Sequence, residues 1–401
     1  MKKLLIPALA LILLGSACRS TTTNSRATNQ SSFTDTSQMT DTEKLVRGRC
    51  SGNDKPQLTH LPMNQNDFAF ILPYGLMIGG HVTPVDHQYF SPTNFNSPTN
   101  TYPVYAMADS RIVDIGTRQH PYQGRDTRET VTDYRIVFSV SCKLLYYYDL
   151  VTGLAPDLKA AYERKGNNLD FPVKAGQIIG YIGGQTLDFA VWDNDVNLTG
   201  FVVPDHYTAE SWKLHTADPL LYESDEVKAA SLAKYIRSQE PRSGKLDYDV
   251  DGKAIGNWFQ VGTNGYAGVN GYTGGEYWGG HLSLSPYFID PSAFLVSIGN
   301  WPGGAQQFAT KEKTPTPDTI TEATGLVKYT LVQFHDYLAN NTSWDSMSFP
   351  VSALHLHRYS DVQGCFLMQM TGTRLLKAEA FKGKTCSSVS GFDANAVMYE
   401  R

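Results

Sequence analysis

The sequence lacks three features that would place it in common functional classes. No hydrophobic run is long enough to cross a bilayer, and the apolar stretch at residues 4–14 is too short for a spanning helix. Clusters of lysine and arginine are absent and the net charge is -5, which argues against binding to nucleic acid. None of the cysteines has the spacing of zinc ligands, which excludes a zinc finger.

The first eighteen residues, "MKKLLIPALALILLGSAC", predict an export signal. Two lysines precede the apolar run, and small residues precede Cys18. The ending resembles a bacterial lipobox, in which the cysteine is lipidated and anchors the chain to the membrane. The alternative is plain secretion, with cleavage after Ala17. We therefore expect the protein to be located in the bacterial cell envelope. In a Gram-negative cell we expect it at the periplasmic face of the outer membrane or at the cell surface, because Arg19 and not aspartate follows Cys18.

Residues 19–46 are rich in Ser, Thr, Asn and Gln and predict a flexible tether. After Cys18, four cysteines remain, and an even number in an exported protein suggests disulfides. Three pairings are open from the sequence. Proximity along the chain favours the pairs Cys50–Cys142 and Cys365–Cys386.

Alternating apolar and polar residues predict a mainly β fold with a few short helices. The segment at 133–150 predicts a strand, while Ser224 followed by Asp225 and Glu226 predicts the start of a helix. The segment at 155–166 predicts a second, shorter helix that ends at Gly166. The polar, proline-bearing stretch at 306–324 predicts a linker, so that 47–305 forms one β domain with helical and Gly/Tyr-rich insertions and 325–401 a small C-terminal β domain.

Three blocks in order resemble the lysostaphin-type family of peptidoglycan metalloendopeptidases. They are "GGHVTPVDHQYF" (79–90), "PVYAMADSRIVDIG" (103–116) with the strand that follows it, and "FPVKAGQIIGYIGGQTLDFAVWD" (171–193). The resemblance spans roughly residues 65 to 195. It implies a β barrel or sandwich like the duplicated hybrid motif. It also implies that the substrate class is cell-wall peptide and that the site holds one divalent metal, either zinc or a harder cation.

The family's site residues are only partly present. His81 stands at the first ligand position, and Asp86 lies one place beyond the position of the second. Where the family has His-x-His, this chain has Thr186-Leu187-Asp188. Where the family has Tyr-x-His, this chain has Tyr147-Tyr148-Asp149. The resemblance thus implies a metal site of His81, Asp86 and Asp188, with Asp149 as the catalytic base.

Alternative ligands exist for this metal site. His87 is an alternative to Asp86, and His281 is a weaker rival to Asp188. A site with one nitrogen and two carboxylate ligands accepts zinc but shifts toward manganese, magnesium or calcium. A literal His355-Leu356-His357 stands far from the motifs and is expected to be a chance pair on one strand face.

Four aromatic residues in a glycine-rich loop are candidates for stacking on a cell-wall ligand. They are Tyr266, Tyr272, Tyr277 and Trp278. Because the two catalytic histidines are replaced, we expect an envelope protein that binds peptidoglycan or envelope proteins without hydrolysis. The alternatives are an active endopeptidase with the variant site and a scaffold without a ligand.

Overall fold

The computed structural model describes residues 46, 48–121, 130–166, 169–269 and 276–401. The protein is mainly β, as the sequence predicts. The strands are β1 Phe68–Leu72, β2 Gln88–Pro92, β3 Tyr102–Tyr105, β4 Ser110–Pro121, β5 Thr130–Ser139, β6 Leu144–Val151, β7 Gly153–Leu154, β8 Phe171–Val173, β9 Ile178–Ile182, β10 Leu187–Asp193, β11 Thr216–Ala217, β12 Gly256–Gln260, β13 His281–Pro286, β14 Phe294–Ile298, β15 Gln306–Thr310, β16 Val327–Leu338, β17 Leu354–Gly372, β18 Leu375–Lys382 and β19 Val397–Glu400.

Helices are few and short. The α-helices are α1 Pro156–Lys165 and α2 Asp225–Leu232, and the 3₁₀ helices are Pro204–His215, Pro219–Leu221, Gly265–Ala267, Pro317–Thr319, Glu322–Thr324 and Cys386–Ser388. Both α-helices begin where the sequence predicts, and the Ser224 side chain caps α2 by accepting from the Val227 N–H. In the described part of the chain, no helix has the length and apolar character needed to cross a membrane.

The first half of the chain forms an antiparallel sheet and a smaller one packed beside it. The large sheet has the order β1-β2-β10-β6-β5-β4-β8, with β11 added on β10, and the small sheet has the order β3-β9-β7. Side chains from both sheets share one apolar core, which includes Phe90, Tyr148 and Phe189. The segment at 133–150, predicted as one strand, is a hairpin of β5 and β6, because Ser141 accepts from the N–H groups of Lys143 and Leu144 and turns the chain.

The second half forms a closed barrel of β12 to β19, with a core of its own that includes Trp258, Phe308 and Tyr329. The first five residues of the predicted linker at 306–324 belong to the barrel, because 306–310 forms β15 and pairs with both β14 and β16. The remaining residues are the β15–β16 connection. The barrel therefore begins at β12 and not at residue 325. The sequence suggested a linker because a polar, proline-bearing loop follows directly on a short strand.

Two disulfides are present, Cys50–Cys142 and Cys365–Cys386. They are the pairs that proximity along the chain favours. The first joins the segment before β1 to the β5–β6 turn, and the second joins β17 to the last 3₁₀ helix. The predicted signal at 1–18 with Cys18, and the tether at 19–46 apart from residue 46, lie outside the described residues.

Candidate functional site

Three adjacent strands place the candidate residues side by side. Tyr89 on β2 lies opposite Asp188 on β10, and Asp188 lies opposite Asp149 on β6. Directly paired residues of antiparallel strands point to the same face of a sheet. His87 stands just before β2, with its ring 4.9 Å from that of Tyr89. The sheet therefore gathers these side chains at one place.

The loop before β2 carries His81 and is held by contacts from the barrel. The Gln307 side chain accepts from the Gly79 N–H at 2.8 Å and donates to the Gly79 carbonyl at 3.0 Å. At Gly80, a Cβ would lie 2.7 Å from the ring of Trp278, so only glycine permits this packing. The glycine pair of the motif thus fits the loop under an aromatic ring, and β15 holds it in place.

We call His81, Asp86, His87, Asp149 and Asp188 the His87 cluster, because His87 lies between the others. Its Nδ1 is 3.3 Å from the Asp86 Oδ1 and its Nε2 is 3.5 Å from the Asp188 Oδ2. The His81 and His87 rings lie 5.7 Å apart. The structure therefore brings together every candidate metal ligand of the motifs and the candidate base.

Asp86 is buried and fully engaged by protein groups. Its Oδ1 accepts from the Lys213 Nζ at 2.8 Å, and its Oδ2 accepts from the Trp212 Nε1 at 3.1 Å. Burial alone would raise the pKa of Asp86, but the charge of Lys213 and the contact with His87 hold it well below its ordinary value. Asp86 is therefore an ionised carboxylate whose two oxygens are both occupied.

Lys213 lies on the 3₁₀ helix Pro204–His215, whose backbone is non-helical at Glu210. Its ammonium is 2.9 Å from the Glu210 Oε2 and 4.7 Å from the centre of the Tyr266 ring. Burial would lower the pKa of Lys213, but the charges of Asp86 and Glu210 raise it above its ordinary value. Lys213 is thus a permanent buried cation beside the carboxylate expected to hold a metal.

Asp188 has a different environment. The Thr186 hydroxyl donates to its Oδ1 at 3.2 Å, and its side chain is 9% exposed. Burial, opposed by His87 and reinforced by the negative charge of Asp149, raises the pKa of Asp188 to about 7. Asp188 therefore changes its protonation near neutral pH.

Asp149 is held by groups on its own side of the sheet. Its Oδ1 forms an ion pair with Arg118 and accepts from the Leu150 N–H at 2.8 Å. The guanidinium of Arg135 lies 4.5 Å from the centre of the Tyr147 ring and 5.0 Å from that of Trp212. Asp149 is thus a paired carboxylate and not an isolated base.

The residues present do not fit the expected divalent metal. Catalytic zinc takes three protein ligands and keeps a fourth position open for water. The oxygens of Asp86 are occupied by Lys213 and Trp212, and the described residues contain no group of three His, Cys, Asp or Glu side chains arranged to hold a metal ion. Burial and the nearby His87 lower the pKa of His81 to about 3, so that its imidazole is neutral.

The rival histidines lie in other surroundings. His281 is buried on β13 and its Nε2 is 3.1 Å from the Tyr266 carbonyl. His357 stacks on Tyr337 at 4.1 Å in the β16–β17 hairpin, and His355 lies opposite Tyr337 in the same hairpin. In the described part of the chain, the structure shows no contact between these three histidines and the His87 cluster.

The expected stacking aromatics are mostly packed against the protein. Tyr266 is 5% exposed and lies under Lys213. Tyr277 and Trp278 are half-buried, and the Tyr277 ring is 5.4 Å from that of Tyr266. Tyr272 lies outside the described residues. The ring of Tyr266 is therefore not available for stacking on a ligand in this structure, because it is buried and contacts the ammonium of Lys213.

Several residues of the site were not predicted. They are Tyr89, Arg118, Arg135, Glu210, Trp212 and Lys213. Lys213 stands far along the chain from the motifs, and nothing in its neighbours distinguishes a buried lysine from an exposed one. Tyr89 follows His87 at the strand alternation of the first motif, a signal that could have placed it on the site's face.

Comparisons with known proteins give partial similarities and no family. No protein-family model and no curated protein matches the chain. A structure of Helicobacter pylori Csd3 is 17% identical with a TM-score of 0.21, over 35% of this chain and 32% of its own. A zinc-containing peptidase from Vibrio cholerae is 19% identical with a TM-score of 0.21, over 33% and 37%. The solution structure of lysostaphin is 12% identical with a TM-score of 0.26, over 67% and 97%.

The chain therefore matches about a third of the length of the first two structures. At these identities and TM-scores the likeness concerns fold alone and assigns no activity to this chain.

Proposed function

We propose that this chain is a bacterial envelope protein, lipid-anchored at Cys18, whose His87 cluster binds peptidoglycan or a partner protein without cleaving it. The observation that carries the proposal is the contact between Lys213 and Asp86. It places an ammonium ion against the carboxylate that a metallopeptidase would need as a ligand. The same face keeps carboxyl, imidazole and phenol groups with which a bound ligand can form hydrogen bonds.

Peptide hydrolysis also needs a base, and the candidate base Asp149 is a poor one. A general base acts best when its pKa lies near the working pH and it can reach the attacking water. Asp149 is tied to Arg118, and the imidazole of His87 lies between two carboxyl groups. Losing a general base typically costs about 10² to 10⁴-fold in rate. Cleavage by the wild type is therefore expected to be absent or very slow.

The second candidate is a metal-dependent endopeptidase with the variant site. The observation that favours it is the pKa of Asp188, raised to about 7 beside the paired Asp149. It would require Asp86 to be released from Lys213.

Metal analysis and a cleavage assay distinguish the two candidates. The purified protein is analysed for metal and incubated with muropeptides and several divalent cations. We expect no stoichiometric metal and no product. A stoichiometric metal that is lost in His81→Ala, together with robust cleavage that disappears in both Asp149→Asn and Asp188→Ala, would replace the proposal with the hydrolase.

Binding to envelope material is measured by co-sedimentation with purified peptidoglycan sacculi. We expect saturable binding by the wild type and weaker binding by Asp188→Asn. The absence of binding to sacculi and to any envelope protein would favour a scaffold without a ligand.

The lipid anchor is tested separately. Replacing Cys18 by serine is expected to release the protein from the membrane fraction, because the lipobox cysteine is the site of acylation. Unchanged membrane association in Cys18→Ser would contradict the anchor while leaving the binding proposal intact.

A further inference from the structure

Most carboxylates in and beside the His87 cluster contact a lysine or an arginine. Asp86 and Glu210 both contact the ammonium of Lys213, at 2.8 and 2.9 Å. Asp149 forms an ion pair with Arg118. Because Asp86 and Glu210 share Lys213, these two cations balance two of the three negative charges within the protein.

Asp188 is the carboxyl group of the site that, among the described residues, has no close ion pair with a lysine or an arginine. Arg135 supplies a third cation, but its guanidinium lies over the ring of Tyr147 and not on Asp188. The side chain of Asp188 accepts a hydrogen bond from the neutral hydroxyl of Thr186 and lies 3.5 Å from the His87 ring, and the charges of His87 and Arg118 also act on it. The site therefore has four carboxylates and three permanent cations, and one more positive charge would balance the negative charge. The carboxylates are Asp86, Asp149, Asp188 and Glu210, and the cations are Arg118, Arg135 and Lys213.

A buried phenol next to Asp188 also has an unused hydrogen-bonding group. Tyr89 is 2% exposed, lies directly opposite Asp188 in the sheet, and its hydroxyl has no hydrogen-bond partner among the described residues. Burial and then the charges of Asp188 and Asp86 raise its pKa well above the ordinary value. A buried polar group without a partner is rare and costs free energy.

We infer that Asp188 and Tyr89 form a binding site for a primary ammonium group, carried on the peptide of an envelope ligand. The inference deepens the proposed function and rests on it for the source of the ligand. An ammonium ion donates three hydrogen bonds, and both a carboxylate and a phenol oxygen accept them. It also supplies the positive charge that Asp188 lacks.

The small exposed area of the site suits a slender group. The side chains of Asp188 and His87 are 9% and 14% exposed, so only a small part of each contacts solvent. An amine at the end of a flexible chain needs little exposed area, whereas the flat face of a sugar ring needs a broad exposed surface. The protein already holds one ammonium in this way, since Lys213 lies between Asp86, Glu210 and the ring of Tyr266.

The test uses the full mature chain and two soluble probes. One is a short peptide that contains lysine with a free side-chain amine, and the other is the same peptide acetylated on that amine. We expect saturable binding of the first by calorimetry, and binding of the acetylated peptide to be at least about tenfold weaker, because a charge-assisted hydrogen bond is lost. Tyr89→Phe and Asp188→Asn are each expected to weaken amine binding by about tenfold or more.

Tyr235→Phe is the matched control, since Tyr235 is equally buried but its hydroxyl donates to Gln88. It should not change amine binding. Tyr89→Phe removes one oxygen atom, so that the test remains decisive even where Asp188→Asn does not fold.

Sacculi treated with an acetylating reagent separate this inference from the proposed function. Loss of binding on acetylation supports both. Equal binding before and after acetylation, or equal binding of the two peptides, overturns the ammonium site and leaves the envelope-binding proposal standing. Binding of the amine peptide without binding of sacculi supports the site and overturns peptidoglycan as the source of the ligand. If neither peptide nor sacculi bind, the ammonium site and binding to peptidoglycan are both overturned.

Discussion

Asp86 and Asp188 lie on the two sides of His87, and Asp86 alone of the two contacts a lysine. Both are buried, at 3% and 6% exposure, and both lie within 3.5 Å of a His87 ring nitrogen. Lys213 contacts Asp86 and holds its pKa well below the ordinary value, whereas the pKa of Asp188 is raised to about 7. With burial nearly equal, the presence of a cation decides the protonation state.

This difference separates two tasks that a metal site would combine. In a metal centre both carboxylates would share one cation. Here Asp86 is bound to a cation of the protein itself, and it fixes the 3₁₀ helix against the sheet. Asp188 remains able to change its protonation or to accept an external charge. Asp86, which contacts Lys213, thus has a structural role, and Asp188, which has no such contact, is the residue to which a ligand can bind.

The largest effect is expected from removing the internal cation. Lys213→Met leaves the buried Asp86 without its cation, and removing one partner of a buried ion pair typically costs about 3–5 kcal/mol of unfolding free energy. Denaturant unfolding at pH 7 measures the change. The matched control is Lys174→Met, because Lys174 pairs with Asp109 at the surface, where both side chains are more than half exposed. An exposed pair is worth only about 0–1 kcal/mol. Equal losses in the two variants would contradict the structural role of Lys213.

The next effect concerns the dependence of stability on pH. The pKa of Asp188 is about 7 in the folded state and near 3.8 when unfolded, so the folded state binds the extra proton between these values. A group with a raised folded pKa contributes fully at low pH, and its contribution falls as pH rises toward 7. Wild type should therefore lose roughly 2–3 kcal/mol from this group between pH 5 and pH 8.

Asp188→Asn removes this loss, because asparagine does not ionise. Unfolding of wild type and variant at pH 5 and pH 8 isolates the effect, since the other carboxyl groups titrate in both proteins. We expect the variant to gain stability relative to wild type at the higher pH. A difference that does not change with pH would contradict a change in the protonation of folded Asp188 between pH 5 and pH 8.

The sequence predicted the elements that depend on local patterns. The mainly β fold and the starts of α1 and α2 follow from alternation and capping residues that are close in sequence. The linker at 306–324 was misplaced, because the short strand β15 is recognised only by its pairing with β14 and β16. Strand pairing depends on neighbours that are distant in the chain.

The same limit applied at the candidate site. The motifs named Asp86 and Asp188, and the structure brings both to His87. The motifs could not show Lys213, which lies more than a hundred residues after Asp86 and reaches it through the 3₁₀ helix that bends at Glu210. A metal ligand and a carboxylate paired with lysine have the same letter in a sequence, and only the contact distinguishes them.

A smaller effect should come from the hydroxyl that donates to Asp188. Thr186→Val removes this bond, which helps to keep the pKa of Asp188 from rising further. We expect a higher pKa for Asp188 by carboxyl NMR titration, and a loss of about 1 kcal/mol at pH 8 that becomes smaller at pH 5, since a hydrogen bond to an ionised group is stronger. The control is Thr216→Val, because the buried Thr216 hydroxyl has no partner among the described residues. A pKa of Asp188 that falls or stays constant in Thr186→Val would contradict the bond.

The smallest effect on stability, and the most specific, is expected at Tyr89. Its buried hydroxyl has no hydrogen-bond partner in the described structure, so Tyr89→Phe should be neutral or should stabilise the free protein by up to about 1 kcal/mol. Tyr235→Phe breaks the bond to Gln88 and should cost about 1–2 kcal/mol under the same conditions. Thermal unfolding of both variants beside the wild type measures the difference. A destabilisation of Tyr89→Phe as large as that of Tyr235→Phe would mean that the Tyr89 hydroxyl already has a partner, and the side of the cluster around Asp188 would then be as closed as the side around Asp86.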